Sequence, residues 1–368
     1  MHVPFVDLKK QYSNLKSEID SAIHSVIENT LFIGGSGNVK VSAFEREFAA
    51  YLGLKHVMSC ANGTDSLEIL LRAMGIKDGD EVIVPALSWI STSESVSAVG
   101  GIPVFVDVDE DLLIDLSKIE DAITSKTKAI IPVHLYGNPV DMPALMKIAQ
   151  KHNLLVMEDC AQSHGAMIGN QMVGTFGHCS SFSFYPGKNL GAYGDAGAMA
   201  TNDDKLAELC RAIANHGQQG KHNHIMEGRN SRMDGIQAAV LSVKLPHLNS
   251  WTEARISNAK KYSEKLQNSR VITQQVKENK RHVFHLYVIR SEKRNELMQH
   301  LKSAGIETAI HYPVALPLMP CYAHRKFVAT DFPVAARAVN EILSLPMYAE
   351  LNDEQIQYVT EQIDVFCS

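Results

Sequence analysis

Between about residues 56 and 202, short apolar runs alternate with segments of helical spacing. HVMSCANG, from His56, reads as a strand ending in a turn. TDSLEILLRAMG follows and puts Leu67, Leu70, Leu71 and Met74 on one helical face. EVIVPAL, IPVFVDV, KAIIPVHL and LLVMEDC are apolar throughout, the mark of strands covered on both faces. SESVSAVGG and PALMKIAQKH lie between them and read as helices, with Gly, Lys or His at their C-terminal ends. This alternation predicts an α/β domain on a mostly parallel sheet.

The flanks have a different rhythm. The first 50 or so residues read as a helix, the glycine-rich turn FIGGSGN and a second helix. Residues 203–262 look helical, interrupted by a polar loop at 216–230, and the stripe of IQAAVLSVKLPHL stops near Pro246. RHVFHLYVIR then reads as a strand, ELMQHLKSAG as a helix stopped by Gly305, and IETAIHYP as another strand. A proline-bearing loop and an amphipathic helix follow. The expected division is a large α/β domain over 1–248 and a smaller α+β domain over 249–368.

Composition narrows the function. A 45% hydrophobic, 21% charged chain is that of a soluble globular protein. Its net charge of −6 comes without a basic stripe, which argues against nucleic acid but leaves room for a small anionic ligand. MHVPFVDLKKQY lacks a basic start followed by an apolar run, and no run approaches the ~20 residues of a membrane span. A cytoplasmic protein without a membrane partner is expected. Cys60, Cys160, Cys179, Cys210, Cys321 and Cys367 form no C-x-x-C pair, and most lie in apolar segments, so buried free thiols are expected. His216, His222 and His224 share a polar loop without cysteine or carboxylate partners at ligand spacing, and no metal is expected there.

Two glycine motifs fail on inspection. Gly187-Lys188 is no P-loop, because Phe182 stands where a glycine is needed and Asn189 where Ser or Thr is needed. GGSGNV at 34–39 lacks the third glycine of a dinucleotide fingerprint and follows no evident strand.

Three other features fit together. Lys188 sits in SFSFYPGKNLGAYGDAGA among aromatics and glycines, where desolvation disfavours its ammonium form and leaves an amine able to form a Schiff base. Asp159 ends the apolar strand LLVMEDC, and a carboxylate at such a strand end could hold the proton of a pyridinium nitrogen. Gly63, Thr64 and Asp65 open a helix whose N-terminus favours a phosphate, although Asn62 or Thr64 could simply cap it. Together these are the parts needed to hold pyridoxal 5′-phosphate (PLP).

FVDLKKQY, SCANGTDSL, GDEVIVPALSWISTSESV, TKAIIPVHLYGNPVDM, EDCAQSHGA, SFYPGKNLGAYGDAGA, NSRMDGIQAA, IHYPVALPL and LSLPMY occur in this order. In these motifs the chain resembles the DegT/DnrJ/EryC1/StrS family of PLP-dependent nucleotide-sugar aminotransferases. The resemblance implies the aspartate aminotransferase-like fold, fold type I. It implies that Lys188 bonds the cofactor and shuttles the proton, that Asp159 pairs with the ring nitrogen and that Gln162 faces the ring hydroxyl. Gly63, Thr64 and Ser183 would hold the phosphate, and Trp89 would stack on the ring. Asn230 would reach the phosphate in the neighbouring subunit, which implies a homodimer with shared sites. Tyr185, Arg232, His311 and Tyr312 would shape the sugar-nucleotide site. His164 would lie near the cofactor, with no role assigned.

The resemblance also bears on the reaction. Relatives that dehydrate sugars replace the lysine with histidine, so Lys188 implies transamination. Tyr185 before the lysine and Gly194-Asp195-Ala196-Gly197 after it are similar to the branch that aminates C3. The first expectation is L-glutamate as donor and a dTDP-linked 3-keto-6-deoxyhexose as acceptor. A UDP-linked 3-keto sugar, a 4-keto sugar, dehydration and a PLP-binding regulator are the alternatives.

Overall fold

In the computed structural model, residues 1–34 and 37–368 are described, so Gly35 and Ser36 of the glycine-rich turn lie outside the described residues. Two N-terminal helices, α1 (Leu8–Glu28) and α2 (Val39–Leu52), precede β1 (His56–Cys60), α3 (Gly63–Ala73), β2 (Glu81–Pro85), α4 (Ser91–Ala98) and β3 (Ile102–Val106). Next come β4 (Thr127–Ile130), α5 (Met142–Lys151), β5 (Leu155–Asp159), the short β6 (Met167–Ile168) and β7 (Gln171–Met172), β8 (Cys179–Ser183) and β9 (Gly197–Thr201). Then follow α6 (Asp204–Ala214), α7 (Gly235–Lys244), α8 (Leu248–Leu266), β10 (Ile272–Thr273), β11 (Lys280–Arg281) and β12 (Tyr287–Arg290). The chain closes with α9 (Arg294–Ser303), α10 (Pro333–Glu341), β13 (Ile342–Leu345) and α11 (Asp353–Cys367).

The central sheet runs β1-β9-β8-β5-β4-β2-β3. Its pairings from β3 to β8 are parallel, while β9 pairs antiparallel with both β8 and β1. The apolar runs follow from this placement. Val82, Ile83, Val84, Ile130, Val156 and Met157 are wholly covered because helices flank the sheet on both faces. A second apolar cluster joins Phe44 and Phe48 of α2 to Phe182 and Phe184. A third lies around the sheet β10-β12-β13, where Tyr262, Tyr287, Leu343 and Val359 meet.

Side chains mark the helix starts. Asn62 accepts from the Asp65 N–H and Asp141 from the Ala144 N–H, while Asn352 and Gln355 form a reciprocal capping box on α11. Two segments far apart in sequence are joined directly: the Val3 N–H donates to Gly305 O at 3.0 Å, and the Glu307 N–H donates to Val3 O at 3.0 Å.

Several expectations need correction. IETAIHYP is not a strand; its pairing is limited to isolated bridges, Ile306 with Val3 and Ala309 with Ser344. RHVFHLYVIR is not one strand either, since residues 282–286 leave the ladder between β11 and β12. Pro246 does not end the helical stretch, because one 3₁₀ turn at Leu245–His247 carries α7 into α8. Cys60, Cys160, Cys179 and Cys210 are buried, but Cys321 is exposed and Cys367 partly so. Among the described residues no helix is long and apolar enough to cross a membrane.

Candidate active site

The C-terminal end of β5 delivers Asp159 into the protein, where it is 5% exposed. The strand end is fixed by the Asp159 N–H donating to Pro132 O and by the His134 N–H donating to Asp159 O. Its carboxylate accepts from Thr92 Oγ1 at 3.0 Å and from the Ala161 N–H at 3.1 Å. Thr92 in turn accepts from Ser88 Oγ at 2.8 Å. Burial pushes the Asp159 pKa up, and the Ala161 N–H, the Thr92 hydroxyl and the Lys188 charge oppose that rise.

Lys188 lies in the loop after β8, the strand next to β5. Its N–H closes a turn onto Tyr185 O at 2.8 Å. Loss of water around the ammonium takes its pKa down to about 8, against the opposing pull of Asp159. Near neutral pH part of this amine is therefore unprotonated and nucleophilic.

The N-terminus of α3 stands beside the end of β8. A helix leaves its first N–H groups without partners in the helix. Asn62 takes those of Asp65 and Ser66 with its side chain and carbonyl, leaving those of Gly63 and Thr64. A Cβ on Gly63 would stand 2.7 Å from Ser183 Cβ, so only glycine permits this approach. Thr64 Oγ1 lies 2.7 Å from Ser91 Oγ. Arg229 holds the helix's own acids, Asp65 at 2.9 Å and Glu68 beside it. An N-terminus with free N–H groups, a serine beside it and its nearby acids neutralised can accept a phosphate.

A third wall comes from loops. Gln162, 5% exposed, accepts from the Tyr136 N–H at 2.6 Å and donates from Nε2 to the Tyr312 hydroxyl at 3.1 Å. Tyr136 has φ 61°, a left-handed conformation rare for a bulky residue, and its hydroxyl donates to the His311 carbonyl. The Trp89 indole, 55% exposed, lies 5.4 Å from the Tyr312 ring. His311 shares a hydrogen bond with Ser344 Oγ at 2.9 Å and stacks on Phe5; burial lowers its pKa to about 4. His164 is buried among Phe48, Phe182 and Phe184, and burial followed by the Lys188 charge takes its pKa to about 3, so it is neutral.

Asp159 at the end of β5 and Lys188 in the loop after β8 thus lie near enough to feel each other's charge, Gly63 meets Ser183, and Gln162, Tyr312 and Trp89 form one chain of contacts. Tyr185 is 59% exposed, and Asn230 is also exposed. Arg232, among the described residues, hydrogen-bonds Asn215 Oδ1 at 3.3 Å. Among the described residues no hydrogen bond ties Asn230 or Arg232 to Asp159, Gln162 or Lys188. Thr92 and Tyr136 escaped the sequence reading. Thr92 is one of several hydroxyls in SWISTSESV, and nothing in the string singles it out.

Among the described residues one buried trio, His134, Glu158 and Cys160, has metal-ligand spacing. Its carboxylate and imidazole are already engaged. The Glu158 carboxylate accepts from the N–H groups of Gly174, Phe176 and Gly177 at 2.7 to 2.8 Å and from His134 at 3.1 Å. His134 Nδ1 accepts from the Val140 N–H. The Glu158–His134 pair is a hydrogen-bonded brace under the Asp159 strand end.

An amine loosened by burial, set against a strand-end carboxylate in a mostly parallel α/β sheet, defines the class: a PLP-dependent aminotransferase of fold type I. The chain belongs to the DegT/DnrJ/EryC1/StrS aminotransferase family, whose profile matches residues 13–364. It is 46% identical to a protein named pleiotropic regulatory protein from Geobacillus stearothermophilus, over 100% of this chain and 99% of that one. It is 42% identical to the UDP-N-acetyl-3-dehydro-alpha-D-glucosamine 3-aminotransferase of Acidithiobacillus ferrooxidans, covering 98% and 97% of the two. It is 41% identical to the dTDP-3-amino-3,4,6-trideoxy-alpha-D-glucose transaminase of Streptomyces venezuelae, covering 98% and 95%. Its structure is similar to that of S. venezuelae DesV in complex with a ketimine intermediate, with TM-score 0.96 and 40% identity over 100% and 99% of the chains.

Proposed function

We propose that this chain moves the amino group of L-glutamate to C3 of a nucleotide-linked ketosugar, with a dTDP-linked 3-keto-6-deoxyhexose as first candidate. The observation that carries the reading is the pairing of Asp159 at the end of β5, hydrogen-bonded by Thr92, with Lys188 in the loop after the neighbouring strand β8, its pKa taken down to about 8. The relatives named for dTDP- and UDP-linked sugars are 41% and 42% identical, so identity does not choose the nucleotide. The Tyr185 and Gly194–Gly197 context favours C3 over C4.

PLP, when bound, supplies an electron sink that lets an amino group be exchanged at the carbon attached to it. The chain's residues supply the rest. The N–H groups of Gly63 and Thr64 and the Ser183 hydroxyl would bind the phosphate, and Asp159 would hold a proton on the ring nitrogen. Gln162 has one amide hydrogen left after Tyr312, which would be available to the ring hydroxyl. Trp89 would stack on the ring. Lys188 would be the covalent anchor, and once an amino substrate displaces it, its free Nζ would take the proton from the substrate carbon. Tyr185, Arg232, His311 and Tyr312 line the sugar-nucleotide side. We also read the division at 248/249 as the border between the two domains.

A second subunit completes the site in this reading. Asn230 is exposed here and would reach the phosphate across a homodimer. Mixing Lys188→Ala and Asn230→Ala subunits is expected to restore activity that neither variant has, because one of the two sites in each mixed dimer is then intact.

The decisive experiment adds L-glutamate, without sugar, to the PLP-loaded chain. The expected result is loss of the visible absorbance with formation of one 2-oxoglutarate per site, and no such change in Lys188→Ala. A screen of 3- and 4-keto dTDP- and UDP-sugars then identifies the acceptor. A loaded protein indifferent to glutamate would shift weight to a regulatory role, the one suggested by the name of the Geobacillus relative.

A further inference from the structure

The residue after Lys188 is engaged on both sides. Asn189 is 4% exposed, and its Nδ2 donates to Val283 O at 3.1 Å. That bond turns Oδ1 towards His285, whose Nδ1 is 3.2 Å away. An amide oxygen only accepts, so the His285 proton sits on Nδ1.

The backbone that carries His285 is held under strain. Phe284 has φ 43°, a region that costs a non-glycine residue free energy and persists only when its surroundings enforce it. Arg255 enforces it, with Nη1 donating to Phe284 O at 3.1 Å, His285 O at 3.4 Å and Met347 O at 2.9 Å. On the other side the Val283 N–H donates to Gly137 O at 3.0 Å and the Leu286 N–H to Tyr136 O at 3.3 Å. This is the segment that leaves the ladder between β11 and β12. Burial first, then the charges of Lys188 and Arg255 and the neighbouring His311 and His164, keep a second proton off His285.

We propose that Asn189 and His285 form a positioning clamp that fixes the Lys188 loop to segment 283–286 and so holds the Lys188 amine in a water-poor place. His285 acts through Asn189 and is a positioning residue. The proposal rests on the reading of Lys188 as the cofactor anchor.

The test measures the Lys188 amine directly. The cofactor-free, full-length chain is acylated competitively with acetic anhydride across a pH series, and the Lys188 peptide is followed by mass spectrometry. Wild type is expected to titrate near the lowered value of about 8. In His285→Leu and Asn189→Leu the freed loop lets water in, and the Lys188 pKa is expected to rise by about one unit or more towards its ordinary value. His285→Asn puts an amide N–H where Nδ1–H stood and is expected to keep the wild-type value. In the loaded enzyme, His285→Leu is expected to lose kcat with little change in KM. An unchanged Lys188 pKa in both leucine variants would overturn the clamp, and so would a shift in His285→Asn as large as in His285→Leu. If His285→Leu fails to fold, Asn189→Leu and His285→Asn still decide the matter. Borohydride trapping of PLP on the wild-type Lys188 peptide tests the anchor separately, so the two ideas can fail independently.

Discussion

Replacing Thr92 by valine tests whether Asp159 works as a charged group. The change keeps the branched shape and removes the hydroxyl that donates to the carboxylate at 3.0 Å. A hydrogen bond to a charged group contributes about 1.5–3 kcal/mol. At 1.4 kcal/mol per factor of ten, PLP should bind about 10- to 150-fold more weakly at pH values where the cofactor-free chain carries a neutral Asp159 that binding ionises. The pH dependence has a definite sign. Burial already raises the Asp159 pKa, and losing a donor to the carboxylate raises it further. The Thr92 bond is already made in the cofactor-free chain, so above that raised pKa it is present before and after binding and the gap between Thr92→Val and wild type closes; as pH falls through it the free acid becomes neutral, binding must ionise it, and the gap opens to its full size. The assay is titration of the cofactor-free chain with PLP, followed by visible absorbance at several pH values, with Thr92→Ser as the variant that keeps a donor. Equal affinity in Thr92→Val and wild type at every pH, below the raised pKa included, would refute the reasoning, as would the same pH-independent weakening in Thr92→Ser.

Three further outcomes are expected. Gly63→Ala forces a methyl to within 2.7 Å of Ser183 Cβ; overpacking costs about 1–3 kcal/mol, and calorimetry should show PLP affinity falling more than affinity for pyridoxal, which lacks the phosphate. Asp159→Asn removes a buried carboxylate whose pKa burial raises, so the cofactor-free variant should unfold in urea at pH 8 no more readily than wild type while turnover is nearly abolished. Lys244 is buried, donates to Gly191 O at 2.8 Å and lies 4.2 Å from the centre of the Tyr193 ring. Burial takes its pKa from 10.5 to about 8, so the unfolded chain binds the extra proton between those values, and wild-type stability should rise relative to Lys244→Met over that window. Urea midpoints across that pH range check it, and a constant difference would count against it.

The parallel core was legible because strands buried on both faces leave unbroken apolar runs, as Val82–Val84 and Val156–Met157 do. Lys188 and Asp159 stood out because a cation among aromatics and an acid closing an apolar strand are both costly without a purpose. The antiparallel insertion of β9 was not legible, since GAMAT fits either strand direction. Residues 282–286 and 306–313 misled because their β-prone composition says nothing of what they must lie against. The first is bent along Tyr136 and Gly137, and the second is drawn from the ladder by the Tyr136 bond to His311 O. Thr92, Asn189 and His285 are ordinary polar residues in the string. Their importance comes from partners 67, 94 and 96 positions away, beyond any local pattern.

The joining of Val3 to Gly305 and Glu307 has a consequence for the protein's birth. Val3 leaves the ribosome about three hundred residues ahead of its partners, roughly fifteen to sixty seconds at ordinary rates of synthesis. Phe5 stacks on His311, so the wall of the site that carries Tyr312 cannot settle until that wait ends. The parallel sheet can form earlier and must spend the interval with part of its apolar surface open. The wall that carries Tyr312 is then a late product of synthesis, and the sheet's open apolar surface must be tolerated until it arrives.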